Sequence, residues 1–203
     1  MSICLSSISF NDKKDGKMLK LNEFIRIGRA LFEEGIIHST SGNISQRDGD
    51  SFYITAHDSY AAALTSDQII RVNVADKKRD KNASVEVDVH RAVYKNTSAQ
   101  AIVHAHPVFA TTLSFEMDVI KPIDAEGSFY MESIPVIDAL DAIGSEELIM
   151  KLPAVLAVNP VCIVKRHGSW AAAGSLLECY KISSVLESAC KILYYKILMD
   201  KSG

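Results

Sequence analysis

The chain has 203 residues, of which 48% are hydrophobic and 23% are charged, and its formal net charge is −3. This length supports one substantial core that needs no disulfide or metal to hold it. There is no basic excess for nucleic acid or an anionic membrane, no apolar run approaches the roughly 18 residues of a membrane span, and the N-terminus does not resemble a signal peptide. The four cysteines are widely spaced without a CxxC pair, which indicates a reducing compartment, so we expect the protein in the cytoplasm.

The chain is predicted to consist of an N-terminal arm and one domain. Residues 1–17 end in a polar stretch rich in Lys and Asp, and the domain is expected to cover residues 18–203. From Leu19 to Phe32 apolar residues recur at three- and four-residue spacing, which predicts an amphipathic helix. Gly35 ends the pattern where a helix would need a left-handed residue.

The next segment is small and polar, from His38 to Ser45, and is predicted to be a loop. Such a loop can offer backbone N–H groups and hydroxyls to an anion, although the same residues are also the commonest turn formers. Strands are predicted at Phe52–Thr55 and Ile69–Val74. Ser84 is predicted to cap a helix that runs from Val85 to about Lys95, with Glu86 and His90 on one face.

The second half alternates short helices and strands. We predict a short helix over Val108–Leu113, two extended pieces within residues 119–137, and a helix over Ser145–Leu152 that is stopped by Pro153. A capping box that begins at Ser175 opens a long helix to about Met199. This order predicts a three-layer α/β or α+β sandwich.

The most informative stretch is Ala101–Pro107, AIVHAHP. Three apolar residues that read as a buried strand lead into His104 and His106, and side chains two apart on a strand point to the same side. His167 also follows a short apolar run, so it is the best third candidate. Catalytic zinc usually takes three protein ligands and leaves one position open, so these three histidines form a candidate metal site.

The histidines also admit other interpretations. Two neighbouring histidines can be a coincidence of core or surface residues. A cupin-type oxygenase also combines HxH with a later histidine, but it places a glutamate three or four residues after HxH, where Phe109 and Ala110 stand here, and it lacks long helices.

An ordered set of short motifs resembles the class II aldolase/adducin family over about Leu19 to Lys196. These motifs are Thr40–Ser45, Ile54-Thr55, Ser84–Glu86 with His90 and Tyr94 behind it, Ala101–His106, and His167-Gly168 before Gly174. The resemblance implies an α/β fold, a three-layer α/β/α sandwich around a mostly antiparallel central sheet. It also implies a homotetramer with sites at subunit interfaces.

The resemblance further implies a zinc-dependent lyase, although another divalent cation is possible. It makes His104, His106 and His167 the metal ligands and Glu86 the acid/base of an aldolase that cleaves an L-fuculose-1-phosphate-like sugar phosphate to a small aldehyde and dihydroxyacetone phosphate. This chemistry is physically consistent, because cleavage next to a ketone leaves an enediolate that a Lewis acid stabilises. The family's 4-epimerases have aspartate where Glu86 stands, which favours the aldolase branch.

The substrate site implied by the resemblance is only partly matched. Thr40, Gly42, Asn43 and Ser84 correspond to residues that bind the substrate phosphate. Where the family has a hydroxyl residue followed by glycine, this chain has His57-Asp58. Where the family has a second hydroxyl residue after the serine, this chain has Val85. A smaller or non-phosphorylated substrate therefore stays open.

Alternatives to an aldolase stay open within the same fold. The family that the sequence resembles also includes sugar-phosphate dehydratases, decarboxylases and 4-epimerases. Its adducin-like members are structural modules. Adducin-like members lack intact metal histidines, whereas all three are present here, which favours an enzyme. A family tyrosine that donates a proton from the neighbouring subunit falls near Ala125, where Glu126 or Tyr130 could replace it.

Overall fold

The computed structural model describes residues 12–77 and 80–201. The helices in this part of the chain are α1 (Asp12–Glu33), α2 (Val87–Asn96), α3 (Val108–Leu113), α4 (Ala125–Tyr130), α5 (Glu146–Leu156) and α6 (Leu176–Lys201). The strands are β1 (Asn43–Asp48), β2 (Ser51–Thr55), β3 (Ile69–Asn73), β4 (Ala101–Ala105), β5 (Val119–Ile120), β6 (Ile134–Ile137), β7 (Val161–Val164) and β8 (Gly168–Ala173). Among the described helices, none is long and apolar enough to cross a lipid bilayer.

The strands form one eight-stranded sheet in the order β3-β2-β1-β4-β8-β7-β6-β5. Neighbouring strands run antiparallel except for β6 and β7, which are parallel. The prediction of a mostly antiparallel central sheet is therefore confirmed. β4 lies near the middle, between β1 and β8, so its residues are covered on both sides by neighbouring strands.

Helices cover both faces of the sheet. Along β4, Ala101, Val103 and Ala105 face a core formed with α1, α3 and α6. The short helix α4 packs against α6. Ile102 points the other way, into a second core formed with α2 and α5. This alternation follows from the two-residue period of a strand. The predicted three-layer α/β/α sandwich is confirmed.

Two predictions in the N-terminal part of the chain need correction. α1 begins at Asp12 rather than at Leu19, because apolar periodicity detects only the turns of a helix that carry an apolar stripe. Residues 12–17 of the predicted arm therefore belong to α1, and residues 1–11 lie outside the described part. The predicted loop ends early, since Asn43 already pairs in β1 with β4. Pairing on both sides makes a strand of this polar stretch.

Three local predictions for the part of the chain after β3 also differ from the structure. Ser84 does not cap α2, whose N-cap is Glu86; instead the Ser84 hydroxyl accepts the backbone N–H of Glu86 at 3.3 Å. The short helix α4 separates the two predicted extended pieces. Pro153 lies inside α5, which continues to Leu156, because both residues are buried and packing outweighs the hydrogen bond that proline cannot donate.

Two glycines allow the chain to approach β4 closely. Gly42 has φ +75°, and a Cβ atom there would lie 2.7 Å from the backbone oxygen of His104. At Gly168 a Cβ atom would lie 2.2 Å from the backbone oxygen of Ala105. Side chains at these positions would push β1 and β8 away from the strand that carries the histidines.

Replacing Gly42 with alanine should therefore cost more stability than the same change at Gly49. Gly49 has φ +62°, but a Cβ atom there would meet no atom within 4 Å, so Gly49→Ala should lower the free energy of unfolding by about 1–2 kcal/mol, the cost of the left-handed backbone. Gly42→Ala should lose about 1–3 kcal/mol more, because it also overpacks against His104. Urea denaturation of both variants measures the difference, and equal losses would contradict the close approach.

Candidate active site

His104 is held by β4 and β8 on the face of the sheet that carries α2. It is 1% exposed and lies in register with Trp170, on which its ring stacks at a centroid distance of 4.4 Å. Its Nδ1 lies 3.0 Å from the backbone oxygen of Ser169. A carbonyl oxygen can only accept, so Nδ1 carries the ring proton and Nε2 presents a lone pair.

His106 and His167 complete a cluster with His104. His106 follows β4, and His167 lies in the turn between β7 and β8, directly after Arg166, whose φ is +65°. One ligand atom from each of the three rings lies within 4.8 Å of the others. Nδ1 of His167 is buried and has no hydrogen-bond partner. Three imidazoles fixed at strand ends are a suitable donor set for zinc or a similar divalent cation.

The cluster is neutral near physiological pH. Burial lowers the pKa of His104 well below the ordinary histidine value, and it also lowers the pKa of His106 and His167. Glu86 opposes this effect at His167, since a nearby carboxylate raises the pKa of an imidazole. Neutral imidazole is the form that binds a metal, so the rings need not lose protons to do so.

Glu86 stands beside the cluster at the start of α2. It is 2% exposed, its Oε2 accepts a hydrogen bond from Nδ2 of Asn43 at 2.8 Å, and its Oε1 receives no side-chain hydrogen bond. Burial raises the pKa of this carboxyl, and the hydrogen bond from Asn43 partly offsets the increase. A buried carboxyl with a raised pKa next to possible metal ligands can act as a general acid or base.

The distances among these groups also fit a cation. Nε2 of His104 lies 3.0 Å from Nε2 of His106 and 3.2 Å from Oε2 of Glu86. Because Nδ1 of His104 holds that ring's proton, Nε2 has a lone pair for both contacts. A proton on His106 can satisfy only one of them, whereas a cation shared by these atoms satisfies both.

One pocket brings together all eight residues that the sequence predicted for the site. Its lining includes Thr40, Gly42, Asn43, Ser84, Glu86, His104, His106 and His167. Val85, which is 59% exposed, and Ile143, which is 62% exposed, add an apolar part. The sequence analysis missed Ile143, since it lies in a loop before α5 that carries no motif.

The predicted substrate-binding residues line the pocket and retain hydrogen-bond donors that no described contact uses. Gly42 and its left-handed backbone turn the chain from the loop into β1. Asn43 uses Nδ2 to bind Glu86, but the second hydrogen on that nitrogen remains available. Ser84 accepts the N–H of Glu86 through its hydroxyl oxygen, which leaves the hydroxyl proton to donate elsewhere.

The departures from the family pattern lie in the same pocket. Asp58 has φ +55°, and its Oδ2 lies 3.3 Å from Nε2 of His57, with both side chains exposed. The carboxylate is therefore in contact with the imidazole of the residue before it. Among the described residues that line the pocket, none is lysine or arginine. An anion bound here would rely on neutral donors and on histidine.

Comparison with known proteins places these features in a family. Residues 22–194 match the family described as Class II Aldolase and Adducin N-terminal domain, and the chain belongs to this family.

Individual relatives match between about half and nine-tenths of the chain. The crystal structure of L-fuculose-1-phosphate aldolase from Thermus thermophilus has a TM-score of 0.88 and 34% identity, covering 91% of this chain and 98% of that one. L-fuculose phosphate aldolase from Methanocaldococcus jannaschii is 28% identical over 182 residues, 88% of this chain and 98% of that protein. Methylthioribulose-1-phosphate dehydratase from Pseudoalteromonas translucida is 32% identical over 97 residues, 46% of each protein.

Acid should destabilise the metal-free protein, because its buried histidines resist protonation. Burial lowers the pKa of His90, His104 and His106 below the unfolded value of 6.5, so under that pH the unfolded chain binds more protons than the folded one. Urea denaturation in a chelator should show the free energy of unfolding falling between pH 6.5 and 5.5 by about 1 kcal/mol for each histidine.

Glu86 acts in the opposite direction and offsets part of this loss, because a raised pKa lets the folded state take up a proton first. His106→Gln should remove the share of the pH dependence that His106 contributes. A free energy of unfolding that stays constant over this pH interval would contradict buried, neutral histidines.

Proposed function

We propose that this protein is a metal-dependent lyase, a class II aldolase that cleaves a sugar phosphate similar to L-fuculose 1-phosphate into a small aldehyde and dihydroxyacetone phosphate. In this proposal His104, His106 and His167 hold zinc or another divalent cation, and Glu86 is the acid/base. The observation that carries it is the convergence on one pocket of three neutral imidazoles and a buried carboxyl with a raised pKa. The relatives named as L-fuculose phosphate aldolases support the substrate class.

The residues match what the reaction requires. Breaking a carbon–carbon bond next to a ketone leaves negative charge on the ketone side, and a bound divalent cation would supply the Lewis acid that stabilises it. Glu86 would exchange a proton with the carbon left behind. Its raised pKa suits this role, because a carboxyl that stays protonated closer to neutral pH can both hold and release a proton.

Phosphate recognition is proposed for Thr40, Gly42, Asn43 and Ser84. These residues line the same pocket as Glu86 and offer backbone N–H, amide and hydroxyl donors. Asp58 weakens this part of the proposal, since its charge opposes a phosphate dianion. We therefore propose a sugar phosphate that binds less tightly than it would to a pocket with a hydroxyl and a glycine at residues 57–58.

A dehydratase acting on a related sugar phosphate is the second candidate. The specific observation in its favour is the 32% identity with the methylthioribulose-1-phosphate dehydratase over 97 residues. The apolar lining from Val85 and Ile143 is compatible with a less polar substrate. The same acid/base and cation would then remove a proton next to a ketone and expel water instead of an aldehyde.

We also propose that the protein is a cytoplasmic homotetramer. Cys162, Cys179 and Cys190 are buried and free, which supports a reducing compartment. Large exposed apolar side chains, among them Phe129 (84% exposed) and Leu140 (100% exposed), support association with further copies. Glu126 and Tyr130 lie on α4, so either could reach a neighbouring site as proton donor.

Metal content and turnover should be lost together when one histidine of the cluster is removed. We expect about one divalent ion per chain in the purified protein and retro-aldol cleavage of L-fuculose 1-phosphate, with both abolished in His104→Ala. His57→Ala is the matched control, because His57 lines the pocket outside the cluster, and it should keep its metal. Glu86→Gln should keep the metal and lose about 10²–10⁴-fold in kcat.

Elemental analysis and product mass spectrometry check these outcomes. Loss of water without release of an aldehyde would favour the dehydratase. Bound metal with neither reaction would reject the proposed substrate, and an absence of metal from the unmodified protein would reject the site.

Removing the charge of Asp58 should improve binding of a phosphorylated substrate. Asp58→Asn keeps the shape of the side chain and tolerates the left-handed backbone at this position. Relief of about 1 kcal/mol of repulsion should lower KM roughly fivefold with little change in kcat. Steady-state kinetics at low ionic strength measures this effect, and an unchanged KM would place the phosphate away from Asp58.

A further inference from the structure

A row of buried hydrogen bonds runs from the core to Glu86. The hydroxyl of Tyr94 lies 2.7 Å from Oγ of Ser45, which lies 2.6 Å from Nδ1 of His90. Nε2 of His90 contacts Oδ1 of Asn43, and Nδ2 of Asn43 lies 2.8 Å from Oε2 of Glu86. All five residues are buried, with an exposed fraction of 6% or less. The row is therefore shielded from bulk water along its length.

The direction of each hydrogen bond follows from the orientation of the Asn43 amide. Its Nδ2 can only donate, and it does so to Oε2 of Glu86, which leaves the amide oxygen facing Nε2 of His90. That oxygen can only accept, so Nε2 of His90 carries the ring proton. A neutral ring has one such proton, so Nδ1 accepts from Ser45, and Ser45 in turn accepts from Tyr94.

Two further observations support this direction. Burial lowers the pKa of His90 well below the ordinary value, so the ring holds only one proton. The reverse direction would need the amide of Asn43 rotated by half a turn, which would bring its carbonyl oxygen against Oε2 of Glu86. Two acceptors at 2.8 Å repel each other unless a proton lies between them.

We infer that Ser45, His90 and Tyr94 are positioning residues that hold the amide of Asn43 toward Oε2 of Glu86 and thereby leave Oε1 as the oxygen that exchanges protons with the substrate. This inference rests on the proposed role of Glu86 as acid/base. Oε2 accepts from the amide of Asn43 at 2.8 Å and lies 3.2 Å from Nε2 of His104, whereas Oε1 receives no side-chain hydrogen bond in the described structure. With Oε2 fixed, the carboxyl cannot rotate to offer its oxygens interchangeably.

The position of the ring proton on His90 tests the direction of the row without any assay of turnover. Protein labelled with ¹⁵N-histidine is examined by long-range ¹H–¹⁵N correlation NMR at neutral pH, and the signals of His90 are identified by their absence in His90→Gln. We expect a proton on Nε2 and none on Nδ1. A proton on Nδ1, or on both nitrogens, would overturn the inference.

Kinetics of two serine variants test the positioning role. Ser45→Ala removes one link, and Ser183→Ala is the matched control, because Ser183 is equally buried but donates to the backbone oxygen of Cys179 within α6. We expect Ser45→Ala to lower kcat about 10-fold or more, with KM and metal content nearly unchanged, and Ser183→Ala to keep kcat within about twofold.

Equal kcat values in the two variants would overturn the positioning role, and so would a loss confined to KM. If the unmodified protein cleaves no sugar phosphate, the proposed function fails while the NMR result still decides the direction of the row. The two failures are therefore distinguishable.

Discussion

The register between β4 and β8 is the constraint on which the site depends. It sets His104 opposite Trp170 and places Ser169 where its carbonyl fixes the tautomer of His104. It also brings the turn that carries His167 up to the end of β4. A slip of one residue would turn His104 toward the opposite core, because strand side chains alternate between faces. The sheet thus determines at once which atoms meet and which of them carry protons.

The helical layer on the face of the sheet that carries His104 supplies the carboxyl that the histidines lack. Glu86 begins α2 and reaches the cluster from the helical layer, while Asn43 comes from β1 and contacts both Glu86 and His90. A buried carboxyl and a buried imidazole would each destabilise the fold without a hydrogen-bond partner, since burial removes their contacts with water. Joined through one amide, both keep hydrogen bonds without becoming exposed. The site is therefore a junction of two layers rather than a set of residues on one strand.

The sequence allowed prediction of the fold class and of the run that carries His104 and His106, because apolar periodicity and residue type are local signals. β1 was missed, since Asn43–Asp48 is polar and becomes a strand only through its neighbours. The end of α5 was misplaced, because burial of Pro153 outweighs a local rule. Ser45 belonged to the motif Thr40–Ser45 but was given no role of its own, since its partners His90 and Tyr94 lie 45 and 49 residues away. Contacts of this kind depend on pairing that no local pattern encodes.

The long sequence separation between β4 and β8 affects the order in which the chain folds. His104 and Ser169 are 65 residues apart, and β6, β7 and α5 lie between them. Closing such a loop is entropically costly, so this pairing belongs to the late, non-local steps of folding. During synthesis the chain presents His104 and His106 well before His167 emerges from the ribosome. The nascent chain therefore has only two of the three histidines for most of that interval, so a cation that needs all three would bind only when the fold is complete.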